Sequence, residues 1–147
     1  MPDSDELRTT MARIIEEFRV DRPRGEVFRA IADFATAPQW DPGIASAEQV
    51  AGQRPGQGAT FRLLLAMGPM KLPFDYVTEA HDPDEHVVHA TENRWAWGRD
   101  DVRLTGDGDT TTVQWTADFA LKGPGRLLDP LLQKGFERVG RKAVAGL

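Results

Sequence analysis

The sequence predicts an α+β chain: a curved antiparallel sheet of six or seven strands wrapped around a long C-terminal helix, with two short helices after the first strand. Two patterns carry this prediction. Between Ile44 and Leu121 apolar and polar residues alternate in short runs separated by turns rich in Gly, Pro and Asp. After Lys122-Gly123-Pro124-Gly125 the period changes, and Leu128, Leu132, Phe136, Val139, Ala143 and Leu147 recur at helical spacing. A length of 147 residues suits one domain with a core of its own.

The elements follow in order. Ala12 to Asp21 reads as a half-buried strand, with Ile14, Phe18 and Val20 on one face and Arg13, Glu17 and Arg19 on the other. Glu16 falls on the apolar face; a place near the strand end, reaching water, accounts for it, and the alternative is a polar group at a pocket wall. Asp21-Arg22-Pro23 opens a helix carrying Val27, Phe28, Ile31 and Phe34, and a short turn covers Thr36 to Trp40 before Asp41-Pro42-Gly43 ends it. Strands are predicted over Ile44–Val50, Ala59–Met67, Lys71–Ala80, Glu85–Thr91, Arg94–Thr105 and Thr110–Leu121. Gly106-Asp107-Gly108-Asp109 is the clearest hairpin signal among their turns. In the final helix, Pro130 belongs in the first turn or marks a kink, and Gly135 and Gly140 permit close backbone approach.

Composition narrows the function classes. With no cysteine, disulfides, thiolate catalysis and cysteine zinc sites are excluded, and a cytoplasmic setting is expected. A net charge of −5 argues against nucleic acid as partner, because phosphate binding needs a basic surface. No window approaches the ~20 apolar residues of a membrane span, so no integral membrane association is expected. Met1 to Thr10 lacks the basic start and apolar centre of a secretory signal and reads as a frayed tail. No glycine-rich phosphate loop, nucleophile elbow or convincing metal set occurs, and no cofactor is expected.

Particular residues carry a family resemblance. Val20-Asp21-Arg22-Pro23 leads into Val27-Phe28 and Ile31-Ala32-Asp33-Phe34, followed by Pro38-Gln39-Trp40-Asp41-Pro42. Gly58-Ala59-Thr60-Phe61, Val77-Thr78-Glu79 with Pro83, Asp109-Thr110-Thr111-Thr112-Val113 and Leu128-Asp129-Pro130-Leu131-Leu132 come next. In this order they resemble the START-like helix-grip superfamily, and within it the bacterial polyketide cyclase/dehydrase and lipid-transport family. The resemblance covers Arg13 to Leu147 and implies a single ligand-binding domain over 12–147 with a cavity between the sheet and the C-terminal helix, while the polar residues 1–11 read as a flexible tail. Members are lipid and sterol carriers, polyketide cyclases, hormone receptors and chaperone cofactors, so the fold alone does not fix the function.

The expected ligand is a hydrophobic small molecule of the lipid, polyketide or isoprenoid class, held by a monomer or homodimer. Alternation places Phe61, Leu63 and Leu65 on one face and Trp115 and Phe119 with Val113 and Ala117 on another; Trp40, Trp95, Leu132 and Phe136 complete the expected apolar lining. The orientation of the Arg94–Thr105 strand stays open, and a bulge between Trp97 and Val102 would reconcile its two patterns. Either Trp95 and Trp97 face the pocket with Arg99 and Asp101 at its mouth, or Ala96, Gly98, Val102 and Leu104 point in. Tyr76, if it faces inward, offers a hydroxyl to a ligand carbonyl or enolate. His89, near mid-strand, is the best candidate general base, while His81 and His86 flank a turn and read as solvated. Arg62 reads as outward-facing. A second reading is an aromatase/cyclase acting on a poly-β-ketone chain, with Tyr76, His89 and Arg99 as its acid–base and charge-stabilising groups.

Overall fold

The protein is represented by a computed structural model that describes residues 12–122, apart from Gln53 and Trp95. The expected C-terminal helix, with Leu132 and Phe136, and the pocket position of Trp95 lie outside the described residues. Within them, seven strands form one antiparallel sheet: β1 (Ala12–Val20), β2 (Ile44–Ala51), β3 (Thr60–Met67), β4 (Met70–Asp82), β5 (His86–Glu92), β6 (Ala96–Asp107) and β7 (Thr110–Leu121). Their spatial order is β1-β7-β6-β5-β4-β3-β2. Strands β2 to β7 form a meander of hairpins, and β1 pairs with β7 at the far edge.

The chain must therefore cross from one edge of the sheet to the other between β1 and β2. It does so through α1 (Arg24–Ala32), a single 3-10 turn (Phe34–Thr36) and α2 (Ala37–Trp40). Pro23 stands at the N-cap, one residue ahead of the first turn. The Asp33 side chain accepts the Ala35 N–H at 3.2 Å and separates Phe34 from α1, where the sequence spacing had joined them.

These helical segments cover one face of the sheet. Val27, Phe28, Ile31 and Ala32 pack on Val87, Val102, Leu104 and Val113. Phe34, Ala37 and Trp40 pack on Phe61, Leu63, Phe74 and Tyr76. Trp115 touches both clusters and joins them. The covered face follows from register. Phe61 pairs with Tyr76, Tyr76 with Thr91, Thr91 with Gly98 and Gly98 with Phe119. Irregularities between Ile44 and Ser46, between Gln49 and Ala51 and between Thr78 and Ala80 shift the pairing in β2 and β4.

Register also decides the open question in β6. Ala96, Gly98, Asp100, Val102 and Leu104 lie on the covered face, so Trp97, Arg99, Asp101 and Arg103 lie on the opposite one. Glu16 is a correction. It sits in mid-strand, half-buried on the covered face opposite Trp115, and not near a strand end. Arg62 does point outward, where it binds Asp75 with two hydrogen bonds of 2.9 and 3.1 Å.

Candidate functional site

The covered face holds a polar group that the sequence reading passed over. Asp100 lies there between Gly98 and Val102 on its own strand, and opposite His89 and Ala117 on its neighbours. Two of these neighbours, Gly98 and Ala117, are small, and two, His89 and Val102, are bulky. One oxygen accepts the indole N–H of Trp115 at 3.1 Å. Asp100 keeps some accessible surface, yet protein surrounds it deeply enough that loss of water dominates its chemistry. Burial pushes its carboxyl up to about 7, the Trp115 bond works against that, and the charges of Asp41 and Asp118 reinforce it.

Asp41 and Tyr76 belong to the same neighbourhood. Burial raises Asp41, although the Gly43 N–H, 2.8 Å away, stabilises its charged form. Tyr76 is 6% exposed and packs edge-on against Phe34 at 5.3 Å. Its phenol is raised well above the ordinary range, first by burial and then by the charges of Asp100 and Asp41. No described residue hydrogen-bonds its hydroxyl.

Aromatic and aliphatic walls surround these groups. Trp40 and Trp115 meet at 5.5 Å with an interplanar angle of 64°, forming a corner. The Trp40 indole N–H is held by Thr36 Oγ1 at 3.1 Å, and that hydroxyl donates in turn to the Ala30 carbonyl. Phe74 and Phe119 pack edge to face at 6.0 Å. Phe61 and Leu63 are fully buried in this core, while Leu65, Leu72, Trp115, Phe119 and Leu121 are only half-buried against it.

The structure separates the three expected acid–base residues. Tyr76 stands on the covered face. His89 stands there too, but both of its ring nitrogens are engaged. Nε2 faces the Ile31 carbonyl at 3.0 Å, and a carbonyl only accepts, so Nε2 carries the proton. In the neutral ring Nδ1 then accepts from the Thr78 hydroxyl at 3.0 Å. The ring also stacks on Phe34 at 4.3 Å and 9°. Burial lowers His89 to about 4; the Ile31 bond opposes that shift and His81 adds to it. This corrects the expectation of a general base, since the ring is a satisfied part of the core.

Arg99 is the second correction. It lies on the opposite face, 3.6 Å from Asp101, which also faces Arg103 and accepts from or pairs with His86 at 2.8 Å. His81, expected to be solvated, packs edge-on against Phe28 at 5.1 Å with a buried Nδ1 that has no partner. Asp100 had left a trace in the sequence, because it is in phase with Ala96, Gly98, Val102 and Leu104. Among the described residues no group of three or more His, Asp or Glu is arranged to hold a metal ion. Among them, too, no helix is long and apolar enough to cross a membrane.

Comparisons with known proteins fit this architecture. No curated protein matches the chain. A START superfamily protein from Mycobacterium smegmatis is similar in structure, with a TM-score of 0.70, 17% identity, and coverage of 88% of this chain and 92% of the other. A protein from Thermus thermophilus gives a TM-score of 0.76 and 20% identity over 91% of this chain and 92% of its own. The ZhuI aromatase/cyclase from a Streptomyces species gives 0.71 and 16% over 92% of this chain and 88% of its own. At such identities the likeness speaks to the fold alone. The model of one family, described as polyketide cyclase/dehydrase and lipid transport, matches residues 11–147. Matched over nearly its whole length, the chain belongs to the polyketide cyclase/dehydrase and lipid-transport family.

Proposed function

We propose that the protein binds a hydrophobic small molecule of the lipid, polyketide or isoprenoid class, in a cavity between the covered face of the sheet and a long C-terminal helix. One observation carries this reading. The hydroxyl of Tyr76, a residue only 6% exposed, has no described hydrogen-bond partner, stands among apolar side chains and feels the charges of Asp100 and Asp41. Buried polar groups are ordinarily satisfied within the protein, and an apolar pocket with a few convergent polar groups is the usual form of a small-molecule site. Trp40, Phe61, Leu63, Leu65, Trp115 and Phe119 are the walls in this reading, with Trp95, Leu132 and Phe136 completing them. The test is to purify the protein, extract it under denaturing conditions and identify small molecules by mass spectrometry. An intact lipid or isoprenoid released in stoichiometric amount supports carriage. A protein that releases nothing, and whose Trp fluorescence is unmoved by a panel of apolar ligands, does not have this function.

A second reading is a cyclase acting on a poly-β-ketone chain. The observation that favours it is the Asp100 carboxyl, pushed up to about 7 on the same covered face as the Tyr76 phenol, which its charge reaches. A group poised near neutral pH can take and return a proton during condensation or dehydration. The aromatase/cyclase among the structural neighbours gives this reading a precedent on the same fold. In this reading Asp100 and Tyr76 act on the substrate, while His89 and Arg99 hold their surroundings in place. Conversion of a poly-β-ketone thioester to a cyclised product, lost in Asp100→Asn and Tyr76→Phe, distinguishes it from carriage.

A further inference from the structure

Resting on the cavity reading above, we propose that the ligand is an apolar organic cation, a protonated amine whose nitrogen is held beside Asp100 and Asp41 with the Tyr76 hydroxyl and the Trp40–Trp115 corner around it. Among the described residues, the covered face carries acids without a matching base. Asp100 and Glu16 project from its strands, and Asp41 follows α2 closely enough for its charge to reach both Asp100 and Tyr76. On the described strands, no Lys or Arg shares that face. The basic residues of β1, β3, β4 and β6 (Arg13, Arg19, Arg62, Lys71, Arg99 and Arg103) stand on the other face, where Asp118, Asp75 and Asp101 engage Arg13, Arg62, Arg99 and Arg103. His89 is neutral and fully used.

The charge of Asp41 adds to the cost of ionising the Asp100 carboxyl, and a cation from outside offsets that cost. The Tyr76 hydroxyl is an independent sign of a ligand: it is 6% exposed, without a described partner, and lies within reach of both charges. The Trp40 and Trp115 rings pack edge to face at 5.5 Å, and indole rings are the side chains whose faces best attract ammonium groups. Gly98 and Ala117 are the smallest of the residues that flank Asp100 on the covered face. A carboxylate ligand in the same place would meet like charge.

The proposal is tested on the full-length protein with two matched series. Dodecylamine, dodecanol and dodecanoate form one; naphthylethylamine, naphthylethanol and naphthylpropionate form the other. Binding is read by Trp fluorescence and calorimetry at pH 8. The expected order is amine, then alcohol, then carboxylate, with the amine favoured over the alcohol by about tenfold in at least one series. In Asp100→Asn, shown by circular dichroism to be folded, the amine-to-alcohol ratio should fall toward one. An alcohol or carboxylate that binds as tightly as its amine overturns the cation proposal and leaves the cavity standing. Absence of binding in both series overturns the cavity reading, and this proposal with it.

Discussion

Trp115 on β7 donates its indole N–H to the Asp100 carboxyl on β6 at 3.1 Å, so the ring that joins the two halves of the core also orients the buried acid. Because that bond favours the charged form, its loss has a predictable direction. Trp115→Phe keeps an aromatic ring and removes the donor. The Asp100 carboxyl should then titrate above its present value of about 7, measured by carbon-detected NMR of labelled aspartate. An unchanged or lower value would show that the bond does not form in solution.

Asp100 and His89 act oppositely on stability. Asp100 is raised from 3.8 to about 7, so between those values the folded state binds more protons than the unfolded one, and its contribution falls as pH rises. His89 is lowered from 6.5 to about 4, so its contribution is present above 6.5 and is lost as pH falls through that window. The two slopes offset each other between about pH 4 and 6.5. Asp100→Asn should therefore unmask a stability that rises with pH over this interval, and should be more stable than the parent at pH 8 by a few kcal/mol, on the order set by ~1.4 kcal/mol per pKa unit. Denaturant titrations at several pH values would show this; parallel pH profiles for the two proteins would count against it.

His89 is expected to matter to the fold more than to any reaction. His89→Ala removes a buried ring, its stacking on Phe34, and the partners of the Thr78 hydroxyl and the Ile31 carbonyl. The expected loss is about 3 kcal/mol, from the cavity and the stranded polar groups together. Nitrogen chemical shifts in the parent should show the proton on Nε2 and no titration above about pH 5. A ring titrating near 6.5 would place His89 in contact with water.

Gly98 keeps the floor of the site low. A Cβ there would stand 3.1 Å from Thr91 Cγ2 and 3.3 Å from Phe119. Gly98→Leu should cost roughly 1–3 kcal/mol through overpacking and block ligand uptake. Arg99→Leu, one residue along and on the other face, should leave uptake within about twofold of the parent on the alternation of strand faces. Equal loss in both variants, measured by fluorescence titration, would mean that the ligand does not bind on the covered face.

Much of the sheet was legible because its strands alternate cleanly. Phe61, Leu63 and Leu65 in β3, and Val113, Trp115 and Ala117 in β7, each share one face, and Gly108 with φ 66° closes the hairpin that its neighbours announce. Strands β5 and β6 were harder. Val87, Val88 and His89 are all buried, so burial there does not alternate and gives no phase. The alternation left the orientation of Trp97 open, and pairing places it outside. Arg99-Asp100-Asp101 reads as a solvated charge run, and only the register shows that its middle residue faces the core. The role of His89 was hidden for another reason: its carbonyl partner Ile31 lies 58 residues away.

The pairing of β1 with β7 also bears on how the chain assembles. Arg13 meets Asp118 across 105 residues, while the other strands pair with their immediate successors. Closing so long a loop is slow compared with zipping hairpins, so β1, which leaves the ribosome well before β7, is late to find its place. Until β7 emerges, the apolar side of β1 has no sheet to rest on, and that strand is where a helper protein or an aggregate would gain its first hold.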